Sequence, residues 1–388
     1  MYQSIYFEMR KQKIHLWDDK KGYLIIPYKK YAYIKNSTGQ HFTLDGDKVK
    51  KIFHWEDNTP GLHESDVPQT TRFLVDQYMD SDEPSIGNRK IFFDIEVEVT
   101  EGFPDPMKAP NKITSISLYD EITKTYFAYV LDEKKQIQNY TKDNQIVEFY
   151  ITEYEMLTSF YRKYSEIQPT ILSGWNSDSF DIPYLYNRSV RVLGKDVASM
   201  LSPIGQIFYS EYKKKYTIAG VNQMDYLHLY RKFSPIQQSS YRLDYIGEVE
   251  VGMKKIEYDG TLNDLYEKDL QKFVNYNIRD VQILVELDEK LDFIDIARGI
   301  AHIGHVPYED VFMSSRYLEG AILVYLKKIG VVAPNKPPRP KKKLEDKFAG
   351  AYVQSPQRGR HEWVFDLDIT SMYPSVIRSL NISPETKI

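Results

Sequence analysis

The sequence predicts an α/β fold, in which a β-rich stretch leads into a domain of helices packed on a sheet. Three patterns point to it. Residues 1–88 alternate short β-like runs (YLIIPY, YAYIK, HFTLDG) with turn residues. From Lys90 the chain reads as strands followed by helices. The run KDLQKFVNYNIRDVQILVELDEKL is a long amphipathic helix ending near Leu291. Strands that open a region and helices that cover them make a layered α/β domain over about 89–292.

In chain order, SDEPSIGNRK is a polar linker that closes the first region. KIFFDIEVEV, from Lys90 to Val99, has the alternation of a strand: Ile91, Phe93, Ile95, Val97 and Val99 share one face, and Asp94, Glu96 and Glu98 the other. KITSISLYD and KTYFAYVLD read as further strands, EYEMLTSFYRKYSEI as a helix, PTILSGWN as a strand, and FDIPYLYNRSVRVL as the start of a helix. IGQIFYSEYKKKYTIAGV, from Ile204 to Val221, is two β-like runs around a polar turn, a hairpin pattern. FIDIARGIAHIGHV and SRYLEGAILVYLKKIGV are two more helices, within a segment 293–345 that ends in the Pro- and Lys-rich linker NKPPRPKKK. EWVFDLDITSMYPSVI opens a strand–turn–helix unit in the last region, 346–388.

Composition narrows the class. A chain of 388 residues, 42% hydrophobic and 27% charged, makes two or three soluble globular domains. No apolar run reaches the roughly 18 residues a membrane span needs. The start MYQSIYFEMRKQK lacks the apolar core of a secretion signal. With no cysteine, disulfides and thiolate zinc sites are excluded, which fits a reducing cytosol. The net charge of −4 means that a phosphate-binding surface has to be local.

A half-buried strand with its acids in water gives the KIFFDIEVEV pattern, but Asp is depleted in strands and Phe92 lies on the acidic face. Two carboxylates two residues apart point the same way and can share a hard cation. Asp181 lies where a strand gives way to a helix, and Tyr276 and Asp280 lie four apart on one helix face. Each alone has a bland reading, such as a helix cap for Asp181. Together they supply what a two-metal phosphodiesterase needs: carboxylates for two cations and a hydroxyl to orient water.

FDIEVE, GWNSDSFDIPYLYNR and YNIRDV resemble the three exonuclease motifs of family B DNA polymerases, in wording closest to T-even bacteriophage replicative enzymes. VFDLDITSMYPSVIRSLNISPET resembles the first palm motif, and FAGAYV the motif that joins exonuclease to palm. The resemblance runs from about Lys90 to the end of the chain. It implies a ribonuclease-H-like 3′→5′ exonuclease domain behind a β-rich N-terminal domain, a helical segment returning to that domain, and an incomplete palm. It makes Asp94, Glu96 and Asp280 ligands of two Mg²⁺ or Mn²⁺ ions, Asp181 a ligand acting partly through water, and Tyr276 the hydroxyl that positions the attacking water. It places Phe103, Asn176, Phe180, Gly350 and Tyr352 on DNA, although core packing is the rival for the two phenylalanines. Asp368 matches the first palm carboxylate and Tyr373 the residue that screens the sugar 2′ position, while the partners of Asp368 are missing before Ile388. Glu98 departs from the family pattern.

The expected activity is proofreading of a single-stranded 3′ end or a primer–template, in the cytoplasm of an infected bacterium, without a membrane partner. A C-terminal polymerase half is the expected companion, and it would also carry any sliding-clamp contact. The alternatives are a module that binds template or RNA with structural acids, and a ribonuclease of the same fold.

Overall fold

The computed structural model describes residues 1–56, 59–100, 102–211, 214–337, 350–383 and 386. The chain forms two units, Met1–Lys336 and Pro337–Ile388.

The first unit opens with an antiparallel sheet of β1 (Tyr2–Glu8), β2 (Lys13–Asp18) and β3 (Gly22–Pro27). A second sheet takes β4 (Ala32–Lys35), β5 (His41–Thr43), β6 (Lys48–Ile52) and β7 (Leu62–His63), and α1 (Gln69–Tyr78) follows. Then come β8 (Lys90–Val97), β9 (Ile113–Asp120), β10 (Thr125–Leu131), β11 (Tyr140–Lys142), β12 (Gln145–Tyr150) and α2 (Glu153–Ile167). Next are β13 (Ile171–Ser173), α3 (Asp181–Leu193), α4 (Lys195–Ala198), the hairpin strands β14 (Ile207–Ser210) and β15 (Lys215–Ile218), and β16 (Asn222–Gln223). Helices α5 (Tyr226–Phe233), α6 (Leu243–Val251), α7 (Leu262–Lys268) and α8 (Leu270–Leu291) complete the α/β region.

Its mixed sheet runs β11-β12-β10-β9-β8-β13-β16. β8 lies near the middle, antiparallel to β9 and parallel to β13. Both faces are covered, as the uninterrupted burial of β9 requires. Ile91, Phe93 and Ile95 join Phe160, Tyr164 and Leu185 of α2 and α3 in one core. Phe92 joins Phe273, Val281 and Leu284 of α8 in another. This is the ribonuclease-H-like arrangement that the resemblance implied. α8 forms because apolar residues recur along one stripe, and the Asp269 side chain caps it by accepting from Lys272 N at 2.9 Å. Lys90 anchors the start of β8, its Nζ lying 3.0 Å from Asp288 Oδ2 on α8 and 3.1 Å from Asp295 Oδ2.

After α8 come α9 (Phe293–Gly304), a 3-10 turn over Tyr308–Phe312, α10 (Ser314–Lys328) and β17 (Val331–Val332). α10 packs on α1, and β17 pairs in parallel with β5. The Tyr2 hydroxyl donates to the Ala301 and Val306 carbonyls at 2.8 and 2.6 Å, so the N-terminal sheet is fastened to this segment. Among the described residues no helix is long and apolar enough to cross a membrane.

In the second unit the described residues hold one helix, α11 (Met372–Ser379). The strand expected in EWVFDLDI is not formed there. A strand needs a ladder partner, none of the sheets includes this segment, and Trp363 is 96% exposed. The linker NKPPRPKKK and the motif FAGAYV lie partly outside the described residues. Three more expectations are corrected. β8 ends at Val97 after a register shift at Glu96/Val97, so Glu98 and Val99 are not part of its alternation. β13 is only three residues long, because the chain turns away at Gly174 to reach α3. The helix expected from Lys268 starts at Leu270, behind the separately capped α7.

Gly174 marks a close approach of two backbones. A Cβ there would lie 2.8 Å from the Phe93 carbonyl oxygen and 2.9 Å from Ser177 Cβ. Neither neighbour is the far end of a flexible side chain. Gly174→Ala is therefore expected to destabilise the fold by about 1–3 kcal/mol, the usual range for overpacking. A lowered midpoint of urea unfolding checks it, and an unchanged midpoint contradicts it.

Candidate active site

Asp94 and Glu96 share the face of β8 that is turned towards α8, because strand side chains repeat every second residue. Asp280 stands on α8, one turn beyond Tyr276. One carboxylate oxygen from each of Asp94, Glu96 and Asp280 lies within 4.8 Å of the other two. Asp181, at the start of α3, accepts a hydrogen bond from Ile95 N at 3.2 Å. It is thereby held against the strand between the two acids, beside that trio rather than within it.

Two further residues complete the site, and the sequence reading missed both. Asn277 is fully buried on α8; its Nδ2 donates to Asp94 Oδ2 at 2.7 Å and its Oδ1 accepts from Ser115 Oγ on β9 at 2.7 Å. Its signal in the sequence was a polar residue in the apolar stripe of an amphipathic helix. Lys255 lies on the loop between α6 and α7, where its Nζ donates to Asp280 Oδ2 and, at 3.2 Å, to the Tyr276 hydroxyl. No spacing rule connects it to Asp280. It gets there because α6 lies tightly on α8: a Cβ on Gly247 would come within 2.7 Å of Ile283 Cγ2.

The crowding of acids shows in their protonation. Removal from water, and then the charges of Asp280, Glu96 and Asp181, push Asp94 well above the usual carboxylate range. Burial, then Asp280, pushes Glu96 up to about 8. Burial pushes Asp181 up to about 7 and also raises Asp280, against which the Lys255 charge works. Burial drives the Tyr276 phenol up, so it keeps its proton. These residues fit a hard divalent cation. The donor set is all oxygen, as such cations prefer, and Asp280 Oδ1 is buried with no hydrogen-bond partner.

A groove of about 1280 Å³ reaches the site at Asp94, with Phe103, Asn176, Lys255 and Tyr276 also on its walls. Arg231, Arg242, Lys254 and Lys272 add positive charge to it. Phe103 and Phe180 face each other with ring centroids 5.1 Å apart. Phe103 is 82% exposed, so core packing does not explain it. Asn176 is exposed, with φ 64°, on a loop whose Asn176 and Asp178 amides donate to Asp225 at 3.1 and 3.0 Å. The structure thus gathers Asp94, Glu96, Asp181, Tyr276 and Asp280 at one place, with Phe103, Asn176 and Phe180 nearby. Glu98 is half-buried and outside the acidic trio. Gly350, Tyr352, Asp368 and Tyr373 belong to the second unit, where each is exposed.

The crowding has a consequence for stability. Glu96 titrates near 8 in the folded chain and near 4 when unfolded, so the folded form binds the extra proton in between. Stability from this source is present at the acid end and is lost as pH rises through that window. In metal-free buffer, Asp94→Asn is expected to raise the urea midpoint at about pH 8 and to change it little near pH 4.5. A divalent cation should narrow the gap by stabilising the parent chain. A midpoint that falls in Asp94→Asn at both pH values contradicts this account.

Comparison with known proteins agrees with this geometry. Residues 74–246 match the model of the DNA polymerase family B exonuclease domain, and residues 311–388 match that of DNA polymerase family B. The first match takes in Asp94, Glu96 and Asp181, and stops short of Tyr276 and Asp280. The chain is 33% identical to a DNA-directed DNA polymerase of Escherichia phage RB69, over 76% of this chain and 35% of that protein. It is 31% identical to the DNA-directed DNA polymerase of Enterobacteria phage T4, over 75% of this chain and 35% of the relative. A DNA polymerase of Pyrococcus glycovorans is 29% identical over 84% of this chain and 41% of its own length. The chain spans little more than a third of the length of these phage relatives. Both matched models, over residues 74–246 and 311–388, describe one family, so the chain belongs to DNA polymerase family B.

Proposed function

We propose that the first unit is a proofreading 3′→5′ exonuclease that hydrolyses the terminal phosphodiester of single-stranded or mismatched DNA. The observation that carries this reading is the convergence of Asp94, Glu96 and Asp280 from two elements that are distant in sequence. Nothing in the packing of the fold calls for three acids at one point, and their mutual repulsion works against it. The phage relatives are DNA-directed DNA polymerases, which supports a DNA substrate; the cytoplasm of an infected bacterium is the setting we propose.

In this reading Asp94, Glu96 and Asp280 hold two Mg²⁺ or Mn²⁺ ions, and Asp181 supports them from the head of α3. Such ions supply Lewis-acid stabilisation of phosphoryl oxygens and of the leaving oxygen. The remaining tasks fall to the chain itself. Tyr276, kept protonated by burial, offers a hydroxyl that orients the attacking water. Lys255, whose charge the acids stabilise against the opposing effect of burial, faces the phosphate once it leaves Asp280. Asn277 fixes the rotamer of Asp94. Phe103 and Phe180 take the freed terminal bases by stacking, worth about 1–3 kcal/mol per base. The basic residues of the groove hold the strand's phosphates.

The second unit contributes no active centre on this reading. Among the described residues, no group with metal-holding geometry includes Asp368. The chain alone is therefore proposed not to extend a primer.

Digestion of a 5′-labelled DNA oligonucleotide beside its RNA counterpart, with and without Mg²⁺ or Mn²⁺, tests the assignment. Metal-dependent shortening of the DNA from its 3′ end is the expected result. Preference for RNA would favour a ribonuclease, and binding without cleavage a template-holding module. Asp94→Ala should lower the rate by about 1,000-fold or more, as loss of a shared ligand removes several kcal/mol of transition-state stabilisation. Lys255→Met should lower it by about 100-fold, the lower end for removal of one charge-stabilising donor. Near-parental rates in either folded variant contradict its assigned role.

Strand form gives a separate check. A paired 3′ terminus must be unpaired first, at a cost of a few kcal/mol that is least for a mismatch. Rates should fall in the order single-stranded, mismatched, matched. Equal rates on all three would remove proofreading as the description. Primer extension by the purified chain would overturn the proposal for the second unit.

A further inference from the structure

We infer that Lys215, at the turn end of the β14–β15 hairpin, is a positioning residue for the acidic site and acts through the loop that carries Asn176, Phe180 and Asp181. The inference rests on the hydrolytic reading of that site and adds a structural control to it.

Lys215 is the first residue of β15 and pairs with Ser210 of β14. A lysine beside the turn of a hairpin normally extends into water. Here its side chain is only 13% exposed. Its Nζ lies 2.8 Å from Asp178 Oδ2 and 3.4 Å from Glu309 Oε2, on the 3-10 turn after α9. The hairpin takes a second grip further along α3, where the Tyr216 hydroxyl donates to Asn187 Oδ1 at 2.8 Å.

Asp178 has further partners on β16 and at the head of α5. Its amide donates to Asp225 Oδ2 at 3.0 Å, and its Oδ1 accepts from Gln223 Nε2 at 3.4 Å. Asp178, Asp225 and His228 also have ligand atoms within 4.8 Å of one another. The lysine ammonium is already the cation in that group. The Asp225 oxygens are taken by the amides of Asn176, Asp178 and Leu227. The group therefore works as an ion-paired tether and not as a second metal centre.

The tether reaches the acids by a short route. The Ser177 carbonyl accepts from Ile182 N at 3.0 Å, which closes the loop onto the first turn of α3. Three residues after Asp178, Asp181 accepts from Ile95 N, midway between Asp94 and Glu96. A shift at Asp178 therefore moves the residue that braces the metal-side strand. Cutting the tether should displace Asp181 without emptying any core.

The test compares the parent chain, Lys215→Met, Lys215→Arg, Asp178→Asn and the double variant Lys215→Met/Asp178→Asn, with Asp94→Ala as the inactive control. Breaking a buried ion pair from one side destabilises the fold, and replacing both partners by neutral groups largely restores it. A purely structural pair therefore predicts that kcat on a single-stranded oligonucleotide recovers together with the melting temperature in the double variant. Positioning predicts that stability recovers while kcat stays about tenfold or more below the parent at nearly unchanged KM, since misplacement by ~1 Å can cost ~100-fold. Lys215→Arg, which keeps the charge, should retain most of the activity. If the double variant does not fold, Asp178→Asn decides, because it leaves Lys215 paired with Glu309; parental kcat there overturns the inference. Hydrogen exchange supplies a readout that needs no activity. The Ile95 amide should exchange faster in Asp178→Asn than in the parent, and unchanged protection overturns the inference. A parent chain without metal-dependent nuclease activity would instead overturn the hydrolytic reading, and exchange at Ile95 would still decide whether the tether exists.

Discussion

The site depends on a repulsion that the fold has to contain. Asp94, Glu96 and Asp280 are brought to within 4.8 Å of one another in surroundings largely withdrawn from water. Without a cation they stay close by holding protons, by leaning on Lys255, which bridges Asp280 and Tyr276, and by the bond that Asn277 donates to Asp94. Burial of a carboxylate penalises its charged form, and a neighbouring carboxylate adds to the penalty. Both effects are present here, and both are relieved by positive charge. The arrangement therefore stores a preference for cations in the framework itself.

That framework is rigid where the strain is greatest. β8 is an inner strand of the large sheet, with one core beneath Phe93 and another beneath Phe92. Lys90 pins the beginning of the strand to α8 and to the segment after it. Asn277 joins Asp94 on β8 to Ser115 on β9, so the carboxylate is oriented by two elements at once. Gly174 lets the next loop come against the Phe93 carbonyl, which brings Asp181 to Ile95. A side chain that must sit within a fraction of an ångström is here held by backbone contacts and buried amides, which move less than exposed salt bridges do.

The elements around the groove have a different character. Phe103 is exposed and leans on Phe180, whose ring in turn lies 5.5 Å from Tyr184. One aromatic is thus anchored in the domain and the other offered to the groove. The β14–β15 hairpin is less independent than its polar turn suggested, since Lys215 and Tyr216 bind it to the loop before α3 and to α3 itself. Elements proposed to meet a nucleic-acid strand and elements that hold the acids are therefore joined by specific contacts.

Much of this was legible before any coordinates. Period-two alternation over 91–97 marked β8, and the carboxylates of Asp94 and Glu96 had to share a face because strand geometry leaves no other choice. Tyr276 and Asp280, four apart, had to share a face of α8 for a similar reason. Motif wording linked those two pairs and Asp181 to one family, and the family match takes in Asp94, Glu96 and Asp181. The strand expected in the last region failed because alternation alone cannot supply a ladder partner. Lys255 and the Lys215–Asp178 pair had no local signal, since their partners lie 25 and 37 residues away along the chain. Local sequence determined which residues face together, because that follows from backbone period. Which faces meet, and which cation stands between the acids, was decided only by the packing of α6, α8 and the hairpin around the sheet, because contacts between distant segments have no period to read.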